Sequence, residues 1–251
     1  MRNFNYLIGY IFSLISRIMP THLRHRLSGI ILPQDMQWCI YNLKFNGFSP
    51  ERVIDVGAYK GEWAEICKRV FPSTAIMMIE PQISENKFLK RFCKRHPDCF
   101  FINALVGASE KEMTPFLIDG LSSTVLFDSE NKANNHIELP LTTLGYLTKE
   151  TPFSKSQLIK LDVQGYELEV LKGASSILDY VEVLIMEVSL IPLIPGAPLF
   201  HAVIQSLHDM DFRLYDICSK FRRPIDKALW QVDVVFVRSE SLLGSVSKGW
   251  D

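Results

Sequence analysis

The stretch VIDVGAYKGEWA, Val53–Ala64, decides the fold. Val53, Ile54 and Val56 form a short, nearly continuous apolar run, the pattern of a strand buried on both faces of a parallel sheet. Gly57 and Gly61 then allow a tight turn, and Trp63, Ile66 and Val70 recur at helical spacing. A second apolar run ends in IEP at Ile79–Pro81, which places Glu80 at its carboxyl end. In an open α/β sheet, a carboxylate after the second strand sits where a ribose diol is held. The stretch therefore predicts an adenosine-containing cofactor.

The turn narrows the choice. A dinucleotide fingerprint needs G-x-G-x-x-G, whereas Asp55, Gly57 and Gly61 form D-x-G-x-x-x-G with Tyr59 at the second glycine position. A pyrophosphate is poorly matched. S-adenosylmethionine has no phosphate to cradle, and its ammonium group suits Asp55, directly or through a water. Glu80 would accept both ribose hydroxyls, since a carboxylate is a bidentate acceptor. Asn103, in FINALVG, ends the third strand; facing the adenine and satisfying its own loop are equal readings.

Composition sets outer limits. The 251 residues are 47% apolar and 22% charged with a net charge of −1, which suits one globular α/β domain and excludes a disordered chain. Nothing in that balance favours nucleic acid. Five scattered cysteines with no CxxC spacing argue against a zinc site and for buried thiols in a reducing cytoplasm. Phe4–Met19 is apolar but falls short of the ~20 residues that span a bilayer, and Arg17 interrupts it. No secretory leader is expected. Packing on the domain or on a second copy of the chain is one reading of this segment. Peripheral contact with the inner membrane face, helped by the basic residues His22, Arg24, His25 and Arg26, is the other.

Along the chain, residues 1 to about 50 read as a helical extension, with one helix starting at Pro33 and stopping near Gly47. Residues 51–240 read as the catalytic domain and 241–251 as a tail. Strands are expected at Val53–Val56, Ala75–Ile79, Phe100–Asn103, Gln157–Leu161, Val181–Glu187, Phe212–Ile217 and Val232–Val237. Intervening helical periodicity predicts a mostly parallel sheet with helices on both faces. The last two strands are expected as an antiparallel pair at one edge.

A second strand–turn–helix, LIKLDVQGYELEVLKGA, spans Leu158–Ala174. Asp162 falls at the carboxyl end of its strand, where ligands collect. With DVGAYKG, the IEP after the second strand, NALVG at Asn103–Gly107 and the closing QVDVVFVR at Gln231–Arg238, the chain resembles the FkbM family of S-adenosylmethionine-dependent methyltransferases over roughly Val53–Arg238. The resemblance implies a class I methyltransferase fold, a Rossmann-like seven-stranded sheet in the order 3-2-1-4-5-7-6. It also implies methylation of a hydroxyl on a sugar or other small molecule, which for a glycan would mean polysaccharide biosynthesis. Two positions depart from the family pattern: Tyr59 stands where Asn is usual, and Gln164 where Glu is usual.

Methyl transfer to oxygen needs alignment of the acceptor behind the methyl group and removal of a proton. Asp162 is the first candidate base, against a purely positional or capping role. Glu187, ending the neighbouring strand in LIMEVS, is the second; adjacent strands lie ~4.8 Å apart, so the two carboxylates would meet one hydroxyl or share one divalent cation such as Mg. Ser122–Thr124 and His201 are candidates for the acceptor pocket, against an ordinary polar loop and a helix start. Two rivals remain: an NAD-dependent sugar oxidoreductase, disfavoured by the turn, and a catalytically silent cofactor-binding scaffold, kept open by Tyr59 and Gln164.

Overall fold

The structure, a computed structural model, describes residue 11, residues 35–126 and residues 136–244. Apart from Ile11, the Phe4–Met19 segment, the basic run after it and Pro33 lie outside the described residues, as do residues 245–251 of the tail. No helix among the described residues is long and apolar enough to cross a membrane.

Helix α1, Met36–Phe45, is capped by Asp35, whose carboxylate accepts the Trp38 N–H at 2.9 Å. An N-cap carboxylate satisfies a donor that the first turn leaves free. The chain leaves the helix through Gly47 at φ +98°. Cys39, Ile40 and Leu43 point into the same core as Val53, Ala64 and Val70. This part of the expected extension is thus an integral layer of the domain.

The strands and helices then alternate: β1 Arg52–Val56, α2 Glu62–Val70, β2 Ala75–Ile79, α3 Asn86–Arg95 and β3 Phe100–Ile102. After an excursion through β4 Leu105–Val106, β5 Lys111–Leu117 and β6 His136–Thr142 come α4 Leu144–Thr148, β7 Leu158–Leu161, α5 Glu167–Lys172, β8 Val183–Ser189, α6 Phe200–Asp209, β9 Phe212–Arg222 and β10 Leu229–Arg238. The main sheet runs β3-β2-β1-β7-β8-β10-β9. Counting only its own strands in chain order, that is 3-2-1-4-5-7-6. The first five of these strands are parallel, and β10 pairs antiparallel to both β8 and β9. The expected class I methyltransferase sheet and its antiparallel edge are present.

Alternation across the sheet builds two cores. Ile54, Val56, Ile159 and Leu161 face α5 and α6, while Val53, Leu158 and Ile185 face α1 and α2. Each fully buried Val, Ile or Leu stabilises by roughly 1.5–3 kcal/mol relative to exposure, so the central strands anchor the fold. A second sheet, β4-β6-β5, was not expected. Four of the seven residues in each of β5 and β6 are exposed, and Pro115 and Pro140 sit inside these strands, a residue that normally argues against a strand. Burial signal and breaker rule both pointed away from it.

Candidate active site

Three strand ends and one excursion make the site. At the end of β1, Gly57 at φ +72°, Tyr59 at φ +45° and Gly61 at φ +79° turn the chain into α2. The Gly57 and Ala58 N–H groups both donate to the Ile79 carbonyl, at 3.0 and 3.1 Å. The Tyr59 N–H donates to Glu80 Oε2 at 2.8 Å, and the Gln82 N–H to Glu80 Oε1 at 2.9 Å. Burial pushes the Glu80 carboxyl up, and these two backbone bonds pull against it. Each oxygen keeps a further lone pair for a ligand hydroxyl.

Across from this turn, Gly57 touches β7. A Cβ on Gly57 would stand 1.9 Å from the Asp162 carbonyl oxygen. That position tolerates no side chain, for the close approach as well as for its left-handed torsion. The cleft between the two turns is open to solvent and holds about 580 Å³ with its mouth counted. Gly57, Tyr59, Glu80, Asp162 and Val163 line one side of it. Leu105, Val106 and Phe116 from the second sheet, with Leu121 and Ser123 from the turn that follows β5, line the rest. One carboxylate with spare acceptor capacity beside an apolar slot is the donor set that an adenosine needs. S-adenosylmethionine therefore fits, with Glu80 for the ribose and the apolar side chains for the base.

Asp55 sits elsewhere than a direct role requires. Its neighbours Ile54 and Val56 face one core, so Asp55 faces the other and is fully buried. Neither oxygen has a hydrogen bond, and the Lys160 ammonium lies 3.4 Å from Oδ1 as an ion pair. Burial pushes the Asp55 carboxyl up against the pull of Lys160. Asp55 does not line the cleft. Of the two routes expected to a cofactor ammonium, direct contact is closed. Asn103 is likewise turned away: its amide donates to the Glu80 carbonyl at 2.9 Å and exchanges bonds with Asn86. It braces the end of β2 and does not line the cleft.

Asp162 lines the cleft, and Glu187 does not. Gln164, at φ +54°, donates through Nε2 to Asp162 Oδ1 at 3.0 Å and to Glu187 Oε1 at 2.8 Å. Burial first, then the charges of Asp162, Asp233 and Glu167, push the Glu187 carboxyl up to about 9. Asp233, directly opposite Glu187 on β10, is itself raised to about 6, chiefly by burial. Below them Glu167 accepts the Val163 and Gly165 N–H groups, both at 3.1 Å, and holds the turn.

The divalent cation expected at Asp162 and Glu187 does not fit this donor set. An amide bridges the two carboxylates, the Lys160 ammonium holds Asp162 Oδ2 at 3.3 Å, and among the described residues no group of three or more His, Cys, Asp and Glu could hold a metal. Of the acceptor candidates, Ser123 lines the cleft, and Thr124 Oγ1 donates to the Gln164 carbonyl at 3.0 Å. His201 is exposed in the first turn of α6, outside the cleft lining.

Lys160 and Asp233 escaped the sequence reading. A lysine inside the apolar run LIKL looks like a strand residue turned to solvent, and Asp233 in QVDVVFVR looks the same. Only pairing of β7 with β1, and of β10 with β8, aims them inward.

A family model for the methyltransferase FkbM domain matches residues 55–214 of the chain. No curated protein matches it. Among solved structures, it is similar to precorrin-6y C5,15-methyltransferase from Geobacter metallireducens, at 10% identity and a TM-score of 0.45, covering 82% of this chain and 90% of that one. It is also similar to magnesium protoporphyrin IX methyltransferase from Synechocystis with bound S-adenosylmethionine, at 9% identity and a TM-score of 0.46, covering 81% and 79%. A third is ribosomal protein L11 methylase from Lactobacillus delbrueckii subsp. bulgaricus, at 12% identity and a TM-score of 0.45, covering 79% and 76%. At such identities and scores these likenesses say nothing of the acceptor.

Proposed function

The chain belongs to the FkbM methyltransferase family and is an S-adenosylmethionine-dependent methyltransferase, and we propose that its acceptor is a hydroxyl oxygen of a sugar or glycan. The observation that carries this reading is the part-exposed carboxylate of Asp162 on the wall of the cleft, joined through Gln164 to the half-buried Glu187. Bound S-adenosylmethionine supplies an electrophilic methyl group on its sulfonium. An alcohol attacks well only if its proton leaves as the new C–O bond forms. Asp162, its side chain about a third exposed, takes that proton from the acceptor hydroxyl and later returns it to solvent.

Glu187 plays a different part from the base first expected of it. With its carboxyl pushed up to about 9, it carries a proton at neutral pH. It therefore holds Gln164 and, through it, the orientation of Asp162. Gln164 orients both carboxyls without adding a charge of its own. The surrounding acidic groups favour a neutral polyol or a cationic acceptor over a phosphorylated one. The sugar class itself rests on the family resemblance.

Methyl-labelled cofactor, offered with a panel of free sugars and polysaccharide extracts, tests the reading. The expected product is an O-methyl sugar that survives acid hydrolysis and is identified by mass spectrometry. Label recovered on nitrogen or carbon would refute the oxygen acceptor. No calorimetric signal with S-adenosylmethionine alone would undo the cofactor assignment at its root.

A further inference from the structure

Among the described residues, Lys160 is the cation that joins both halves of the site. It lies mid-sheet on β7, with a side chain only 8% exposed. Its ammonium approaches three oxygens: the Gly57 carbonyl at 3.2 Å, Asp162 Oδ2 at 3.3 Å and Asp55 Oδ1 at 3.4 Å. Asp55 and Lys160 are direct register partners on β1 and β7, so the contact follows from strand pairing and not from a flexible reach. Burial disfavours the ammonium, yet Asp162 and Asp55 outweigh it and its pKa is raised. The three partners have different places in the site: Gly57 shapes the cofactor turn, Asp162 lines the cleft, and Asp55 lies sealed beneath both.

We propose that Lys160 is a positioning residue for methyl transfer: its ammonium ties the cofactor turn at Gly57 to the carboxylate of Asp162 and cancels the charge of Asp55 below them. The inference rests on the proposed function but concerns how the site is assembled. Gly57 packs against the Asp162 carbonyl too closely to admit a Cβ, so a change of even half an ångström between β1 and β7 is felt on both walls of the cleft. A buried three-point ion cluster resists such a change. Lone burial of the Asp55 charge would be strongly unfavourable if Lys160 were simply removed.

Lys160→Met alone can therefore fail to fold, and the decisive variant is Lys160→Met combined with Asp55→Asn, which removes both buried charges. Lys160→Arg keeps the charge. Three measurements on the full chain read the outcome: thermal unfolding, hydrogen–deuterium exchange of residues 56–61 in the free protein, and calorimetric titration with S-adenosylmethionine and S-adenosylhomocysteine. The double variant is expected to melt within a few degrees of the parent, yet exchange the turn at least tenfold faster and bind S-adenosylmethionine at least tenfold more weakly. S-adenosylhomocysteine lacks the sulfonium charge, and Asp162 without its ammonium favours a cation. Its affinity should therefore fall at least threefold further than that of S-adenosylmethionine. Lys160→Arg should recover part of both losses.

If the double variant folds, protects the turn and binds both ligands as the parent does, Lys160 merely balances a buried charge and the inference is wrong. Equal weakening of both ligands overturns it too, since bulk loosening would then explain the loss. Failure of the parent protein to bind S-adenosylmethionine would instead strike the cofactor assignment itself, and with it this role for Lys160.

Discussion

Glu80 and Glu187 make an instructive pair. Both are glutamates at or near the carboxyl end of a sheet strand, and burial pushes both carboxyls up. Glu80 meets two backbone N–H groups within reach of its own turn region. Glu187 meets only a side-chain amide, and it faces Asp162, Asp233 and Glu167. Backbone donors stabilise an ionised carboxyl at little cost in order, whereas neighbouring carboxylates oppose ionisation. The first arrangement makes an acceptor for a ligand hydroxyl. The second makes a carboxyl that holds its proton more tightly, the basis of the orienting role proposed for it. The same side chain therefore serves two purposes, set by what surrounds it.

Gly57→Ala attacks the point where the two regions touch, and its effect is the largest. A methyl group 1.9 Å from the Asp162 carbonyl at φ +72° must push β1 and β7 apart, so cofactor affinity should fall at least a hundredfold by calorimetry. Retention of parent-like affinity would show that the two walls do not depend on each other. Glu80→Gln is next. An amide can accept from only one of the two backbone donors, so S-adenosylmethionine should bind about tenfold more weakly, equivalent to ~1.4 kcal/mol, at every pH between 6 and 9.

Glu187→Gln should behave in the opposite way. Its folded carboxyl titrates near 9 against an ordinary value of 4.5. Between those values the native state holds a proton that the unfolded chain has released. The stability linked to this group is thus complete below about pH 4.5 and is lost as pH rises to 9. The variant escapes that loss, so its melting temperature should exceed the parent's by ~5 °C at pH 9, with the gap closing below pH 5. A gap independent of pH would remove the basis for treating Glu187 as protonated. Asn103→Ala gives the smallest effect. It deletes one hydrogen bond to the Glu80 carbonyl, costs ~1 kcal/mol or less, and should weaken cofactor binding no more than about threefold.

Much of this was legible from local pattern. The seven main strands, the glycine turn and Glu80 are encoded within short windows, because a two-face-buried strand needs a continuous apolar run and a left-handed turn needs glycine. The two departures from the family pattern, Tyr59 and Gln164, both fall at left-handed torsions, which no window of residues reveals. Asn, the family's residue at the first of these, is well suited to such a torsion. The second sheet was hidden by its exposure and by Pro115 and Pro140. Lys160 and Asp233 were hidden because an isolated charge in a strand ordinarily faces water.

The sequence alone determined the fold class, the family and the cofactor, since each rests on short local motifs in a fixed order along the chain. Only the tertiary structure decided the reaction half. Asp55, Lys160, Asp162, Glu187 and Asp233 come from β1, the end of β7, β8 and β10, and meet through strand order and register. Electrostatic interaction depends on distance and burial. Which carboxyl is sealed away, which has its pKa pushed up most by its neighbours and which faces the cleft emerged only when those strands were laid side by side.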